Sequence, residues 1–195
     1  MREDIKVIFL DVDGVLNSYE WRIKNREKNN RIIKCLDEEP IKILSKIVET
    51  TNAKIVLSSS WRGLDSESVF LRILKEKLEK FNMSIFSMTG KSKKKKSRGW
   101  EIRDWLKDNK HIYNVTSFVI IDDDSFDIAN HKKTLLPYYI KTSFKDGLQE
   151  KHVDKILHVL NGGKVNLILI PKRKDPDWKS DKYWFRKFIQ ETIDE

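Results

Sequence analysis

Five short runs of the chain are apolar without alternation: Val7-Ile8-Phe9-Leu10, Ile55-Val56-Leu57, Ile85-Phe86, Phe118-Val119-Ile120-Ile121 and Tyr138-Tyr139-Ile140. A strand with one face in water alternates apolar and polar residues, so strands apolar on both faces belong to a parallel sheet covered by helices. Helical patterns fill the gaps, at about 38–51, 66–80, 98–109 and 147–160. Ser97 is placed to cap the third, whose stripe is Ile102, Trp105 and Leu106, and Asn161-Gly162-Gly163 ends the fourth. Strand alternating with helix predicts a doubly wound α/β fold with helices on both faces of the sheet.

At 195 residues the chain is long enough for one domain with a modest extension. The reading is a domain over 1–162 and a C-terminal strand-helix extension over 163–195 packed on it. The extension holds the strand-like run Val165 to Ile170 and a helix near 178–192, whose Trp184, Phe185, Phe188 and Ile189 share one face. That stripe either packs on the domain or forms a basic, aromatic surface for nucleic acid. The single cysteine, Cys35, excludes an internal disulfide and a Cys-rich zinc site. No run approaches the roughly 18 apolar residues of a membrane span, and Met1-Arg2-Glu3-Asp4 leads into the first strand with no signal-peptide pattern. A cytoplasmic or nucleus-facing protein without a membrane partner is expected.

The chemistry is concentrated where predicted strands end. Phe9-Leu10-Asp11-Val12-Asp13-Gly14 is a buried strand that finishes in two carboxylates. Side chains at i and i+2 lie on one side of a strand, so both acids aim into the crevice at its carboxyl end, where open α/β sheets bind ligands. Two such acids repel each other unless a cation neutralises them, which points to Mg²⁺. Asp122-Asp123-Asp124-Ser125-Phe126-Asp127 puts four carboxylates in six residues after another buried strand. If the two strands are adjacent, the acids meet at one metal. A third strand end, Ser58-Ser59-Ser60-Trp61-Arg62, offers hydroxyls and amides to a phosphate oxygen.

These residues resemble the haloacid dehalogenase (HAD) superfamily of Mg²⁺-dependent phosphohydrolases over roughly residues 5–160. Asp11-Val12-Asp13-Gly14 is similar to its first motif, Ser58 to its second and Asp122-Asp123 to its fourth. The third is a lone basic residue, for which Arg98 stands beside Lys91 and Lys93 to Lys96. More narrowly, Leu57-Ser58-Ser59-Ser60-Trp61-Arg62, Arg98-Gly99-x-Glu101-Ile102, Ile121-Asp122-Asp123-Asp124 and Gly147-Leu148 resemble the HAD domains of "Swiss Army Knife" RNA-repair proteins. The resemblance implies a HAD-like Rossmannoid fold with a minimal cap, because only about Asn17 to Asp37 separate the first strand from the next helix. It implies Asp11 as nucleophile forming an aspartyl-phosphate, Asp13 as general acid and base, and Ser58 and Arg98 as phosphoryl ligands. Mg²⁺ would be held by Asp11, the Asp13 backbone carbonyl and Asp123, with Asp122 close by. Asp127 is either an outer ligand or the acidic start of a helix.

Net charge is +9, yet it is unevenly spread. Residues 20–34, 91–98 and 172–187 carry net +4, +6 and +4, a total of +14 that leaves the rest of the chain at −5. An acidic body with basic edges around an open site suits the terminal phosphate of DNA or RNA, with Ser59, Arg62, Lys94 and Lys95 as candidate substrate contacts. The alternatives are a phosphatase of small phosphomonoesters such as nucleotides, with solvated lysines, and a non-catalytic binding module. Other patterns fail. Thr89-Gly90-Lys91-Ser92 lacks the first glycine of a phosphate-binding loop, no GxGxxG follows the first strand, and His111, His131, His152 and His158 lack metal-ligand spacing.

Overall fold

Parallel pairing builds the sheet from the centre outwards. In the computed structural model, which describes residues 2–25, 36–63, 68–92, 97–124, 128, 131 and 133–165, the strands are β1 (Glu3–Leu10), β2 (Lys54–Leu57), β3 (Ile85–Met88), β4 (Tyr113–Asp122) and β5 (Tyr139–Lys141). The helices are α1 (Tyr19–Asn25), α2 (Glu38–Thr51), α3 (Val69–Glu79), α4 (Arg98–Asn109) and α5 (Val153–Leu160). Sheet order is β3-β2-β1-β4-β5 and every pair is parallel. The chain winds from β1 out to β3 and then crosses back to β4, so the reversal falls at β1 and β4, where ligands of open α/β sheets bind. The expected doubly wound fold is the one observed.

Alternate residues of β1 feed two cores. Ile8 and Leu10 pack with Ile41, Leu44 and Ile47 of α2, Leu71 and Leu74 of α3, and Ile156 and Val159 of α5. Val7 and Phe9 enter the other, with Ile102 and Trp105 of α4, and Phe9 meets Trp105 edge-on at 5.4 Å. At about 25 cal/mol per Å² of apolar surface removed from water, these two layers supply the main drive for folding. α2 keeps the bounds its pattern predicts because both ends are capped. Asp37 accepts the Glu39 N–H, and Asn52 takes the left-handed conformation at φ 53°.

Several boundaries differ from expectation, and β1 begins at Glu3, not Val7. β4 begins at Tyr113, not Phe118, since Asn114 and Thr116 are exposed on a half-covered stretch that pairs with Glu3 to Ile5 of β1. The helix expected from 147 starts later. Gly147 has φ +72° and turns back on Ser143, and a 3₁₀ turn, Glu150–His152, precedes α5. Of the C-terminal extension only 163–165 are described, with Val165 N–H bonded to Pro137 O at 2.8 Å. The run to Ile170, the helix near 178–192 with its aromatic stripe, Cys35, Lys93 to Lys96 and Asp127 lie outside the described residues. Among the described residues no helix is long and apolar enough to cross a membrane.

Candidate active site

All five strand ends point the same way, and the sheet's own hydrogen bonding continues past them. Asp11 N–H reaches Ile121 O at 3.0 Å, Ser58 N–H reaches Leu10 O at 2.8 Å, Thr89 N–H reaches Leu57 O at 3.0 Å and Thr142 N–H reaches Asp122 O at 3.1 Å. The floor of the crevice is therefore held as firmly as a strand.

β1 and β4 are neighbours, so their acids meet. One carboxylate oxygen each from Asp11, Asp122 and Asp123 lies within 4.8 Å of the others. Asp11 is 6% and Asp122 4% exposed. Burial pushes the Asp122 carboxyl well above the usual carboxylate range, the charges of Asp11 and Asp123 push the same way, and Arg98 opposes them. Gly14 makes the approach of Asp123 feasible. Its φ is +73°, and a Cβ there would fall 2.6 Å from Asp123 Cγ. β5 clamps both acidic segments from behind, with Tyr139 Oη donating to Asp122 O at 2.9 Å and Thr142 Oγ1 donating to Gly14 O at 2.7 Å.

Arg98 opens α4 over this floor. Its Nη2 lies 3.6 Å from Asp11 Oδ1, its Nε 3.7 Å from Asp122 Oδ2 and its Nη1 3.4 Å from Glu101 Oε2. The other Glu101 oxygen sits 2.8 Å from Arg62 Nη2, and Arg62 Nη1 donates to Thr89 Oγ1 at 2.6 Å. Four carboxylates thus face two guanidiniums, an excess of negative charge that a divalent cation would offset. Three converging hard oxygen donors fit Mg²⁺.

Asp13 stands apart. Asn17 Nδ2 donates to Asp13 Oδ1 at 3.1 Å while Asn17 Oδ1 accepts the Gly14 N–H at 3.0 Å, which fixes the amide's orientation. Burial, then the Asp11 charge, raise the Asp13 carboxyl to about 6, against hydrogen bonding from Asn17 and Trp61 and the charge of Arg22. A carboxyl poised there can carry a proton and return as a base near neutrality. At the end of β2, Ser58 is 2% exposed and its Oγ has no hydrogen-bond partner among the described residues. A buried hydroxyl without a partner costs stability unless a ligand meets it.

The family described as the HAD domain in Swiss Army Knife RNA repair proteins matches residues 7–153. The chain belongs to that family. The span covers all five strands' contribution to the crevice from Val7 to the start of α5. A chain of the solved structure described as "Structure of Pnkp1/Rnl/Hen1 complex" is similar at 14% identity and a TM-score of 0.44, over 74% of this chain and 47% of that one. This chain therefore spans about half of that neighbour's length. No curated protein matches it.

Of the residues read from sequence, this HAD domain brings Asp11, Asp122, Asp123 and Arg98 together, with Ser58 on the adjoining strand end. The Asp13 carboxylate faces Asn17 and is not part of the three-oxygen cluster. Ser59 is fully buried and its Oγ accepts the Trp61 N–H, a turn cap. Arg62 is engaged by Glu101 and Thr89, and Lys94 and Lys95 lie outside the described residues. The sequence patterns assign no role to Asn17, Trp61, Glu101 or Arg22. Two carried a signal: Asn17 closes the apolar run after Asp13-Gly14, and Glu101 stands one helical turn from Arg98. Thr89-Gly90-Lys91-Ser92 follows β3 but opens no helix over 89–92, and Ser92 Oγ donates to Asp104. His131 and His152 are buried, one against Trp100 and the other in the capping box of the 3₁₀ turn before α5.

Proposed function

We propose that this HAD domain is a Mg²⁺-dependent phosphomonoesterase working through an aspartyl-phosphate on Asp11, and that its substrate is the 3′ or 5′ terminal phosphate of a polynucleotide. The observation that carries the reading is Arg98 set between Asp11 and Asp122, over three converging carboxylates. An Asp11 oxygen attacks phosphorus as the bond to the leaving oxygen breaks, and protonated Asp13 gives that oxygen its proton. The Asp13 carboxylate then takes a proton from water as the water attacks phosphorus, which breaks the Asp11–phosphorus bond and releases phosphate. Arg98 and the Ser58 hydroxyl hold the phosphoryl oxygens in line. Mg²⁺ held by Asp11, Asp122 and Asp123 would offset charge on those oxygens.

The polymer reading is supported by the shortness of the segment between β1 and α2 and by charge. The described part of the segment between β1 and α2 contributes one short helix, α1, without a buried residue. The tract Lys91, Lys93 to Lys96 and Arg98 runs into the helix that carries Arg98. Lysines there would meet neighbouring backbone phosphates and release counterions, which makes affinity fall steeply with salt. The test replaces Lys93, Lys94, Lys95 and Lys96 together with Ser and follows Mg²⁺-dependent phosphate release. A several-fold rise in KM for an end-phosphorylated oligonucleotide, a flatter salt slope and unchanged activity on an aryl phosphate are expected. No effect on either substrate favours small phosphomonoesters, and absence of turnover in the wild type favours a binding module.

A further inference from the structure

Arg98 is held in place by a neighbour on its own helix. Its guanidinium presents a different nitrogen to each of three carboxylates: Nη2 to Asp11, Nε to Asp122 and Nη1 to Glu101. The edge formed by Nε and Nη2 is the one that can grip two oxygens of a phosphoryl group side by side. Whether that edge faces the floor depends on what fixes the far nitrogen, Nη1. Glu101 is buried, at 9% exposure, and its second oxygen is anchored by Arg62 at 2.8 Å. Arg62 is in turn fixed to Thr89 Oγ1, whose N–H extends the β2–β3 ladder to Leu57 O. A chain of polar contacts therefore runs from the end of β3 through Arg62 and Glu101 to Arg98. All three charged side chains in it are at most 19% exposed.

We infer that Glu101 is the positioning residue for Arg98, and that Arg62 serves as its anchor and not as a substrate contact. A buried carboxylate shared by two arginines orients both guanidiniums without competing for the phosphoryl oxygens, since both its oxygens are taken. This rests on the phosphatase reading in one respect only, that Arg98 holds a phosphoryl group.

The test is a double-mutant cycle between Glu101 and Arg98, read by kcat and KM on an aryl phosphate and by calorimetric binding of inorganic phosphate in the presence of Mg²⁺. Glu101→Gln keeps the shape and a partner for Arg62 while removing the charge. It should weaken phosphate binding about tenfold and lower kcat/KM about 10- to 100-fold, and Glu101→Asp should recover part of the loss. In an Arg98→Gln background the same Glu101→Gln change should cost less than about twofold, because the group it positions is gone. Equal losses in both backgrounds would overturn the inference and leave Glu101 a structural strut. If the wild type binds phosphate tightly yet hydrolyses nothing, the phosphatase reading fails while the binding cycle still decides Glu101. If it neither binds nor hydrolyses, both are overturned.

Discussion

Asp11 and Asp13 leave the same strand two residues apart, yet they occupy different surroundings. Asp11 is still in the sheet, its N–H paired with Ile121 O, and its carboxylate lies among Asp122, Asp123 and Arg98. Asp13 is past the ladder, in a turn that Gly14 begins and Asn17 closes, and its oxygen is held by the Asn17 amide. The floor is a crossing of charges that a cation would offset, and the rim is a carboxyl that burial and the Asp11 charge raise to about 6. One strand end can thus supply a nucleophile and a proton carrier because the backbone changes from ladder to turn between them.

The largest expected effect falls on the floor. Asp11→Asn should lower phosphate release by at least about a thousandfold on every substrate, with folding retained by circular dichroism. On the rim, Asp13→Asn should cost about 10²- to 10⁴-fold on an alkyl phosphate and clearly less on an aryl phosphate, whose leaving group needs no proton. A loss by Asp13→Asn that ignores the leaving group would collapse the two regions into one.

Mg²⁺ separates them a second way. A hundredfold excess over Kd should stabilise the wild type by about 2.7 kcal/mol, seen as a higher Tm. Asp123→Ala should remove most of that gain, and so should Gly14→Ala, whose methyl meets Asp123 Cγ at 2.6 Å and which adds about 1–2 kcal/mol of left-handed backbone strain. Asp13→Asn should keep the gain. Unchanged melting of the wild type in millimolar Mg²⁺ would mean that the floor holds no metal.

The smallest effect lies outside both regions and calibrates their pH response. Burial, then the charge of Lys151, lower the His152 imidazole below its usual 6.5, and Nδ1 accepts the Gln149 N–H at 3.0 Å. The unfolded chain therefore binds the proton more readily, so the stability from this cap is present above pH 6.5 and is lost as pH falls below it. In His152→Asn the drop in Tm between pH 7 and 5 should shrink slightly. A larger drop would place the sensitive group elsewhere.

Much of the floor is legible in the amino-acid sequence. Acids at the ends of two apolar runs can be read as one site because such runs form parallel sheets, and α2 and α4 keep their predicted bounds, 38–51 and 98–109. What is hidden depends on pairings between distant elements. Arg62 reads as a free cation near a phosphate site, whereas Glu101 and Thr89, 39 and 27 positions away, hold it. Asn17 gets no role from the sequence patterns, because only the Gly14 N–H fixes which end of its amide faces Asp13. The first five residues of β4 escape the apolar-run pattern because their polar side chains lie on a stretch that the sheet covers on one face only.

The central place of β1 in the order β3-β2-β1-β4-β5 also has a meaning for synthesis. β1 is synthesised before the other four strands, but the strand that closes its second edge ends at Asp122 and the clamp on Gly14 waits for Thr142. Until then a growing chain carries an apolar strand with one side unpaired, the kind of edge that recruits other strands. A product stopped short of residue 113 would lack Asp122 and Asp123 and keep that edge open, so the strand that completes the acidic floor is also the one that removes an aggregation-prone edge.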